Sequence, residues 1–384
     1  MPHMKLLVLG AGLQGNACAY NLLQHRSVAR VTLADAVSGT LPAFLTPGDD
    51  RLRVETADAA DTIGILDLMR GHDAVLCALP YYFNEPMTRL AIEANCHFAD
   101  LGGNTEIVFQ QKEHHQAAVA KGLSVIPDCG IAPGMVNILA AEGLRRLETT
   151  DAVRIYVGGL PQDPEPPLNY QIVYSLEGAL DYYTTPSWIL REGKTTQVEA
   201  LSELETLSFP DPIGELEAFH TGGGISTMPF AWENKVSTME YKTLRYPGHM
   251  TIMRSIRELG LISNDPIEVK GVPVVPRDVF IAAVQPKLFR PEGRDLVALR
   301  VLATGTRDGK PATVSFQLVD HFDQATGISA MMRTTGFSLA LIGLMQMGGS
   351  VTAKGVRTPD EAVPFSPYIE GLAEFGVRIE EQEA

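Results

Sequence analysis

A doubly wound parallel α/β domain, followed by an α+β second domain on a largely antiparallel sheet, is the architecture this sequence predicts. Three observations point to it. A glycine turn, Gly10-Ala11-Gly12-Leu13-Gln14-Gly15, stands between an apolar run, Lys5 to Leu9, and a helix-compatible run, Asn16 to His25. Strand-like and helix-like runs alternate from residue 4 to Asp128. After Asp128 strand-like runs follow one another without alternating helices.

Strand, glycine turn and helix form the context in which G-x-G-x-x-G binds a dinucleotide in a Rossmann domain. Gly10 permits the tight turn, Gly12 lets the backbone approach a pyrophosphate, and Gly15 lets helix and strand pack closely. Leu13 and Gln14 lie inside the same loop, where the helix N-terminus offers free N–H groups to the phosphates. A second strand, Arg30 to Ala34, ends at Asp35, twenty residues past Gly15. That is where a ribose 2′-OH acceptor belongs, and a carboxylate there repels a 2′-phosphate, so NAD is expected over NADP. A plain glycine turn is the bland alternative, and it would not require the following strand and acid.

The alternation continues in order. Leu52 to Val54 reads as a strand ending near Asp58, and Thr62 to Met69 as a helix. Asp73 to Leu79 is a buried strand stopped by Pro80, with Tyr81 and Tyr82 after it. Met87 to Asn95 is helical, His97 to Asp100 a strand, and Leu101-Gly102-Gly103-Asn104 its loop. Gln110 to Lys121 is helical, and Leu123 to Ile126 is a strand ending at Pro127-Asp128. In a doubly wound sheet, ligands bind beyond the C-terminal strand ends. Asp58, Leu79, Pro80, Tyr82, Gly102 and Asn104 are therefore expected to meet the cofactor, and Asp128 the cofactor or substrate.

Cys129-Gly130-Ile131-Ala132-Pro133-Gly134 reads as an interdomain crossing, followed by a helix, Met135 to Arg146. Strand-like runs follow at Val153 to Val157, Tyr170 to Tyr174, Trp188 to Leu190, Leu216 to Phe219 and Met239 to Leu244. Asp308-Gly309 closes a hairpin between Leu296 to Thr306 and Ala312 to Val319. His249 to Leu259 and Val279 to Val284 are helical. Thr334 or Thr335 can cap a helix from about Gly336 to Met347, ended by Gly348-Gly349. Apolar nearly all round, it should be buried against the first domain. The expected divisions are a cofactor domain, 4–128, a substrate and oligomerisation domain, 129–333, and a segment returning to the first domain, 334–384.

The 384 residues suffice for two domains, and 45% hydrophobic with 20% charged residues is ordinary globular composition. A net charge of −15 argues against a nucleic-acid backbone as partner. No apolar run approaches the roughly 20 residues of a membrane helix, and none forms a signal-peptide core, so a cytoplasmic location is expected. Cys18, Cys77, Cys96 and Cys129 lack a C-x-x-C or His-ligand spacing and read as reduced, buried thiols. No metal site is expected.

The first domain, the Gly130 to Gly134 crossing, Gly158-Gly159-Leu160-Pro161, His220-Thr221-Gly222-Gly223-Gly224 and Lys354-Gly355-Val356 together resemble the saccharopine dehydrogenase-like oxidoreductases. The resemblance covers nearly the whole chain. It is nearest the branch that oxidises the ε-carbon of L-lysine with NAD, releasing ammonia and a semialdehyde that cyclises. It implies an NAD(P)-bound Rossmann domain, a second domain carrying substrate and homo-oligomer contacts, and a returning C-terminal segment. Saccharopine reductases carry Asp-Pro-Gly where this chain has Ala132-Pro133-Gly134. They carry Asn-Arg-Asp-Ser, whose arginine clamps a substrate carboxylate, where this chain has Thr221-Gly222-Gly223-Gly224. The departures suit a smaller substrate lacking the glutamate arm.

Oxidising lysine's ε-carbon needs a neutral amine, and the free group has a pKa of about 10.4. A base or alkaline pH must remove a proton. His220, at a strand end before three glycines, is the first candidate base, against a hydrogen-bonded loop histidine. Asp128 is the second. Thr221, Gly222 and Gly223 are candidate substrate contacts, their N–H groups forming an anion nest or merely a flexible turn. Glu177 could accept the substrate ammonium or be a solvated helix acid. Tyr174 could line the pocket or belong to the core. Arg245 and Lys242 could hold a carboxylate or sit at the surface. Two rivals stand beside lysine oxidation: a saccharopine dehydrogenase or related reductive aminase, and an NAD(H)-binding redox sensor without turnover.

Overall fold

The computed structural model describes residues 4–37, 39, 41–45 and 48–384. The first half is built from β1 (Met4–Leu9), α1 (Leu13–Leu23), β2 (Val28–Asp35), β3 (Leu52–Thr56), α2 (Thr62–Met69), β4 (Ala74–Cys77), α3 (Asn84–Glu93), β5 (His97–Asp100), α4 (Thr105–Glu113), α5 (His115–Ala120) and β6 (Ser124–Ile126). The second half contains α6 (Met135–Arg145), β7 (Thr149–Pro161), α7 (Leu176–Thr184), β8 (Ser187–Arg191), β9 (Lys194–Val198), β10 (Glu205–Phe209), β11 (Gly214–His220), α8 (Met228–Ala231), β12 (Thr238–Arg245) and α9 (His249–Glu258). It continues with β13 (Ile267–Val269), β14 (Val272–Val274), α10 (Pro276–Leu288), β15 (Asp295–Arg307) and β16 (Lys310–His321). The chain closes with α11 (Ala330–Gly348), β17 (Gly355–Val356), α12 (Pro359–Ala362), α13 (Phe365–Glu374) and β18 (Glu380–Glu383).

The first sheet runs β17-β6-β5-β4-β1-β2-β3 and is parallel throughout. This is the doubly wound order, with its switch point between β1 and β4. β1, β4 and β5 carry Val, Leu, Phe and Ala buried on both faces, as a sheet sandwiched between helices requires. The second sheet runs β10-β11-β12-β7-β15-β16-β18, with β8 and β9 off its path. All its pairings are antiparallel except β12 with β7. Asp308-Gly309 does close the long β15–β16 hairpin, both residues with positive φ.

Several elements depart from expectation. Tyr170 to Tyr174 is not a strand. Its alternating apolar residues serve separate cores, Tyr170 packing with the α7–α9–α10 cluster and Val173 with the central core. The helix expected from Gln110 begins at Thr105, where the Asn104 side-chain Oδ1 accepts from Ile107 N–H as its cap, and breaks at His114. The C-terminal helix starts one turn before its expected Thr334 or Thr335 cap: Ser329 accepts from Met332 N–H at 3.1 Å, and the Asp295 carboxylate takes the Ala330 and Met331 N–H groups. α11 packs on α1, β4 and β5, and β17 extends the first sheet, but residues 380–383 join the second sheet beside β16.

Candidate active site

The nucleotide cradle follows from close packing at the glycine turn. Gly10 has φ +95°, and a Cβ there would lie 2.8 Å from the Ala78 carbonyl oxygen. A Cβ on Gly15 would overlap the Gly10 carbonyl, whereas one on Gly12 would meet nothing within 4 Å. Gly12 is the N-cap of α1 and no side chain caps it, so the first N–H groups stay free for phosphate. Asp35 ends β2; its carboxylate accepts Ala11 N–H at 2.7 Å and Val37 N–H at 3.0 Å, which ties it to the glycine loop. Neither polar atom of the Gln14 amide has a partner among the described residues. This cradle fits a dinucleotide.

Gln14 and Leu13 also border a groove of about 510 Å³, closed on the other side by Tyr174, Glu177 and Ile281. Leu79 and Pro80 follow β4, and the exposed Tyr82 lies in the short turn after them. Asp58, exposed beyond β3, accepts Ala60 N–H. Asn104 is occupied as a helix cap.

Next to the cradle, between the two sheets, lies a cavity of about 180 Å³. Gln14, Leu101 and Gly102 form one wall, and Val157, Gly159, Tyr241, Thr243 and Arg245 form the other. Gly130, Ile131 and Ala132 of the crossing, with Tyr174, Tyr182, Met331 and Thr335, complete it. Tyr241, Thr243 and Arg245 share one face of β12 because side chains alternate along a strand. Arg245 is 3% exposed, and no carboxylate pairs with it among the described residues. Its guanidinium stacks over Tyr170, 4.9 Å from the ring centre. A buried, unpaired guanidinium beside a cavity is a carboxylate receptor in waiting.

Asp128 lies directly behind Gly102, so close that a Cβ on that glycine would overlap its carboxylate. It is 1% exposed, and neither oxygen has a hydrogen-bond partner within normal geometry among the described residues. Burial pushes its pKa up to about 7, the Ser226 hydroxyl acting in the opposite direction. Asp100, also buried, holds the two loops together by accepting from Gly102 N–H at 2.7 Å and Asp128 N–H at 3.3 Å.

His220 is not brought to this cavity. β11 pairs with β12 so that His220 stands opposite Lys242, on the face away from Thr243 and Arg245. Its ring is fully buried, with Nδ1 3.1 Å from the Tyr241 carbonyl and Nε2 3.3 Å from Glu203. Burial and Lys242 hold it below the usual histidine pKa. His220, Glu203 and Glu240 group within 4.8 Å, but Arg191 and Arg154 already pair with the two glutamates. Lys242 is likewise engaged, with Glu205.

Thr221 bonds Thr243 and so stands behind the cavity wall. The glycine loop is not a free anion nest, since Gly222 N–H donates to the Tyr182 carbonyl. Its glycines instead make room for rings: a Cβ on Gly223 would lie 2.9 Å from Tyr182, and one on Gly224 would overlap Tyr241. Glu177 is exposed and faces the cofactor groove rather than the cavity. Tyr182, Tyr241, Thr243 and Thr335 are polar lining residues that the sequence does not single out for the site. The alternation Tyr241, Thr243, Arg245 was the available signal.

A doubly wound nucleotide cradle facing a second-domain cavity defines the class: a two-domain NAD(P)-binding oxidoreductase. The chain belongs to the saccharopine dehydrogenase family. The family's NADP binding domain matches residues 6–126, and its C-terminal domain matches residues 130–377. Mouse (Mus musculus) mitochondrial alpha-aminoadipic semialdehyde synthase is 23% identical over 452 residues, covering 97% of this chain and 47% of the mouse protein, so the chain spans about half the length of that relative. Schizosaccharomyces pombe saccharopine dehydrogenase (NADP(+), L-glutamate-forming) is 20% identical over 452 residues, with 98% of each chain covered. The apo saccharopine dehydrogenase (L-Glu forming) structure from Saccharomyces cerevisiae shares the fold with a TM-score of 0.80 at 18% identity, covering 99% of this chain and 100% of that one.

Proposed function

We propose that the chain is an L-lysine 6-dehydrogenase. It converts L-lysine, NAD and water to 2-aminoadipate semialdehyde, which cyclises to piperideine-6-carboxylate, with ammonia and NADH. The observation that carries this reading is the cavity itself. Arg245 is the single cation among its described lining residues, and its volume of about 180 Å³ lies below the ~300 Å³ where drug-sized ligand pockets begin. One guanidinium matches the one carboxylate of lysine. The rings of Tyr182 and Tyr241, admitted by the glycines at 223 and 224, occupy space that a larger adduct would need.

In this reading Arg245 holds the α-carboxylate and the reacting end of lysine points to the first domain, toward Gly102 and Asp128. A bound NAD supplies the hydride acceptor. Asp128 attracts the ε-ammonium and accepts its proton, a role that fits its place behind the Gly102 wall of the cavity better than His220's place on the face turned away from Thr243 and Arg245. Asp35 at the ribose position supports NAD over NADP.

Saccharopine oxidation is the rival, favoured by the names of the relatives. An NADH absorbance assay with lysine and saccharopine in parallel separates the two. Lysine should give NADH and ammonia, the nitrogen coming from a labelled ε-amine. NADH with saccharopine alone, or loss of the α-nitrogen, would sink the proposal.

A further inference from the structure

Arg245 reaches the cavity from the last position of β12, and a long side chain there needs something to fix its direction. Its Nη1 donates to the Leu244 carbonyl at 2.8 Å, and its Nε donates to the Tyr183 hydroxyl at 3.1 Å. Tyr183, 3% exposed on α7, lies 2.9 Å from His249 Nε2. His249, 2% exposed at the start of α9, places its Nδ1 3.0 Å from the Leu168 carbonyl.

The polarity of this chain runs one way. A carbonyl only accepts, so His249 Nδ1 carries the proton. Burial and the nearby Arg245 cation keep the ring neutral, so Nε2 is a bare acceptor. The Tyr183 O–H must therefore donate to His249, which turns its lone pairs toward Arg245 Nε–H. Among the described residues only Nε and one Nη1 hydrogen are held by protein, so Nη2 and the second Nη1 hydrogen remain for a ligand. The guanidinium plane is fixed through Nε and Nη1 and offered through Nη2.

We infer that Tyr183 and His249 are positioning residues whose hydrogen-bond chain aims Arg245 at the substrate α-carboxylate, and so select α-amino acids over simple diamines. The inference rests on the lysine reading above, in which Arg245 is the carboxylate anchor. None of its three members is a proton donor or acceptor in the reaction.

The test compares L-lysine with 1,5-diaminopentane, which has both amines and no carboxylate, at saturating NAD. Tyr183→Phe keeps the ring and removes only the hydroxyl. It should lower kcat/KM for lysine about tenfold, mainly through KM, and change the diamine value by less than about twofold. His249→Leu should do the same, whereas His249→Gln, which restores an acceptor for Tyr183, should recover most of the preference. Equal losses for both substrates, or an unmoved lysine KM in Tyr183→Phe, would overturn the positioning role while leaving lysine oxidation intact. Failure of the unaltered protein to oxidise lysine would instead overturn the lysine reading and this role with it.

Discussion

Asp128 combines a left-handed backbone (φ 63°), nearly complete burial and, among the described residues, no bonded carboxylate oxygen, a costly arrangement that only a tightly specified loop sustains. Its folded pKa of about 7 lies above the unfolded value, so the folded state resists charging it. The associated stability is full below about pH 4 and is lost as pH rises through about 7. Asp128→Asn should therefore match the parent near pH 4 and exceed it at pH 8, by on the order of 2–4 kcal/mol in denaturant unfolding. Its turnover should fall by two to four decades, roughly the span of general acid–base effects. Loss of stability at pH 8 would show that the charged carboxylate is satisfied. His220→Ala should keep turnover within a few-fold and lower the melting temperature, because its ring serves a buried network with Glu203 and the Tyr241 carbonyl, away from the cavity. A decades-wide loss of kcat with an unshifted melting point would restore it as the base. Asp35→Ala should weaken NAD and narrow the gap to NADP; comparable catalytic efficiency with both cofactors in the parent would remove the basis for that expectation.

Among the elements, α11 binds the two halves together. Its N-terminus receives the Asp295 carboxylate from the start of β15, which suits the positive end of a helix dipole. Along its length, Gly336 lets α1 approach so closely that a Cβ would lie 2.7 Å from Ala17, and Gly343 does the same for Leu76 of β4. Gln346 donates to the Phe98 and Ser124 carbonyls, anchoring the far end between β5 and β6. A chain ending at Thr334 loses the Gly336, Gly343 and Gln346 contacts together with β17 and β18. It should be insoluble or fail to bind NAD, and a stable NAD-binding truncation would overturn the structural role. At the cap itself, Ser329→Ala should cost about 1 kcal/mol in unfolding.

At the scale of the whole molecule, substrate choice in the lysine reading is a matter of the space left between two sheets. Ornithine keeps both amines but is one methylene short, so its reacting carbon is displaced when Arg245 holds the carboxylate. Its kcat/KM should fall at least tenfold below that of lysine. Norleucine keeps the carboxylate and lacks the ε-amine, and should be inert. Equal rates with lysine and ornithine would show that the carboxylate anchor does not set the reach.

The glycine turn, the acid after β2 and the strand–helix alternation sufficed to read the first domain, because these features are local: each depends on residues within a few positions of one another. The β15–β16 hairpin was legible for the same reason. Tyr170 to Tyr174 was misread because alternation records which side chains are buried and not whether a sheet edge is available. The placement of His220 and Arg245 was undecided for a related reason. Strand periodicity divides β11 and β12 into two faces but does not say which face meets the first domain. Only the register of His220 opposite Lys242, and the placing of β12 across the cavity from Gln14 and Gly102, turned Arg245 inward and His220 away. Composition and local pattern determined the elements and the nucleotide chemistry; contacts between residues far apart in the chain decided which buried polar groups face the cavity.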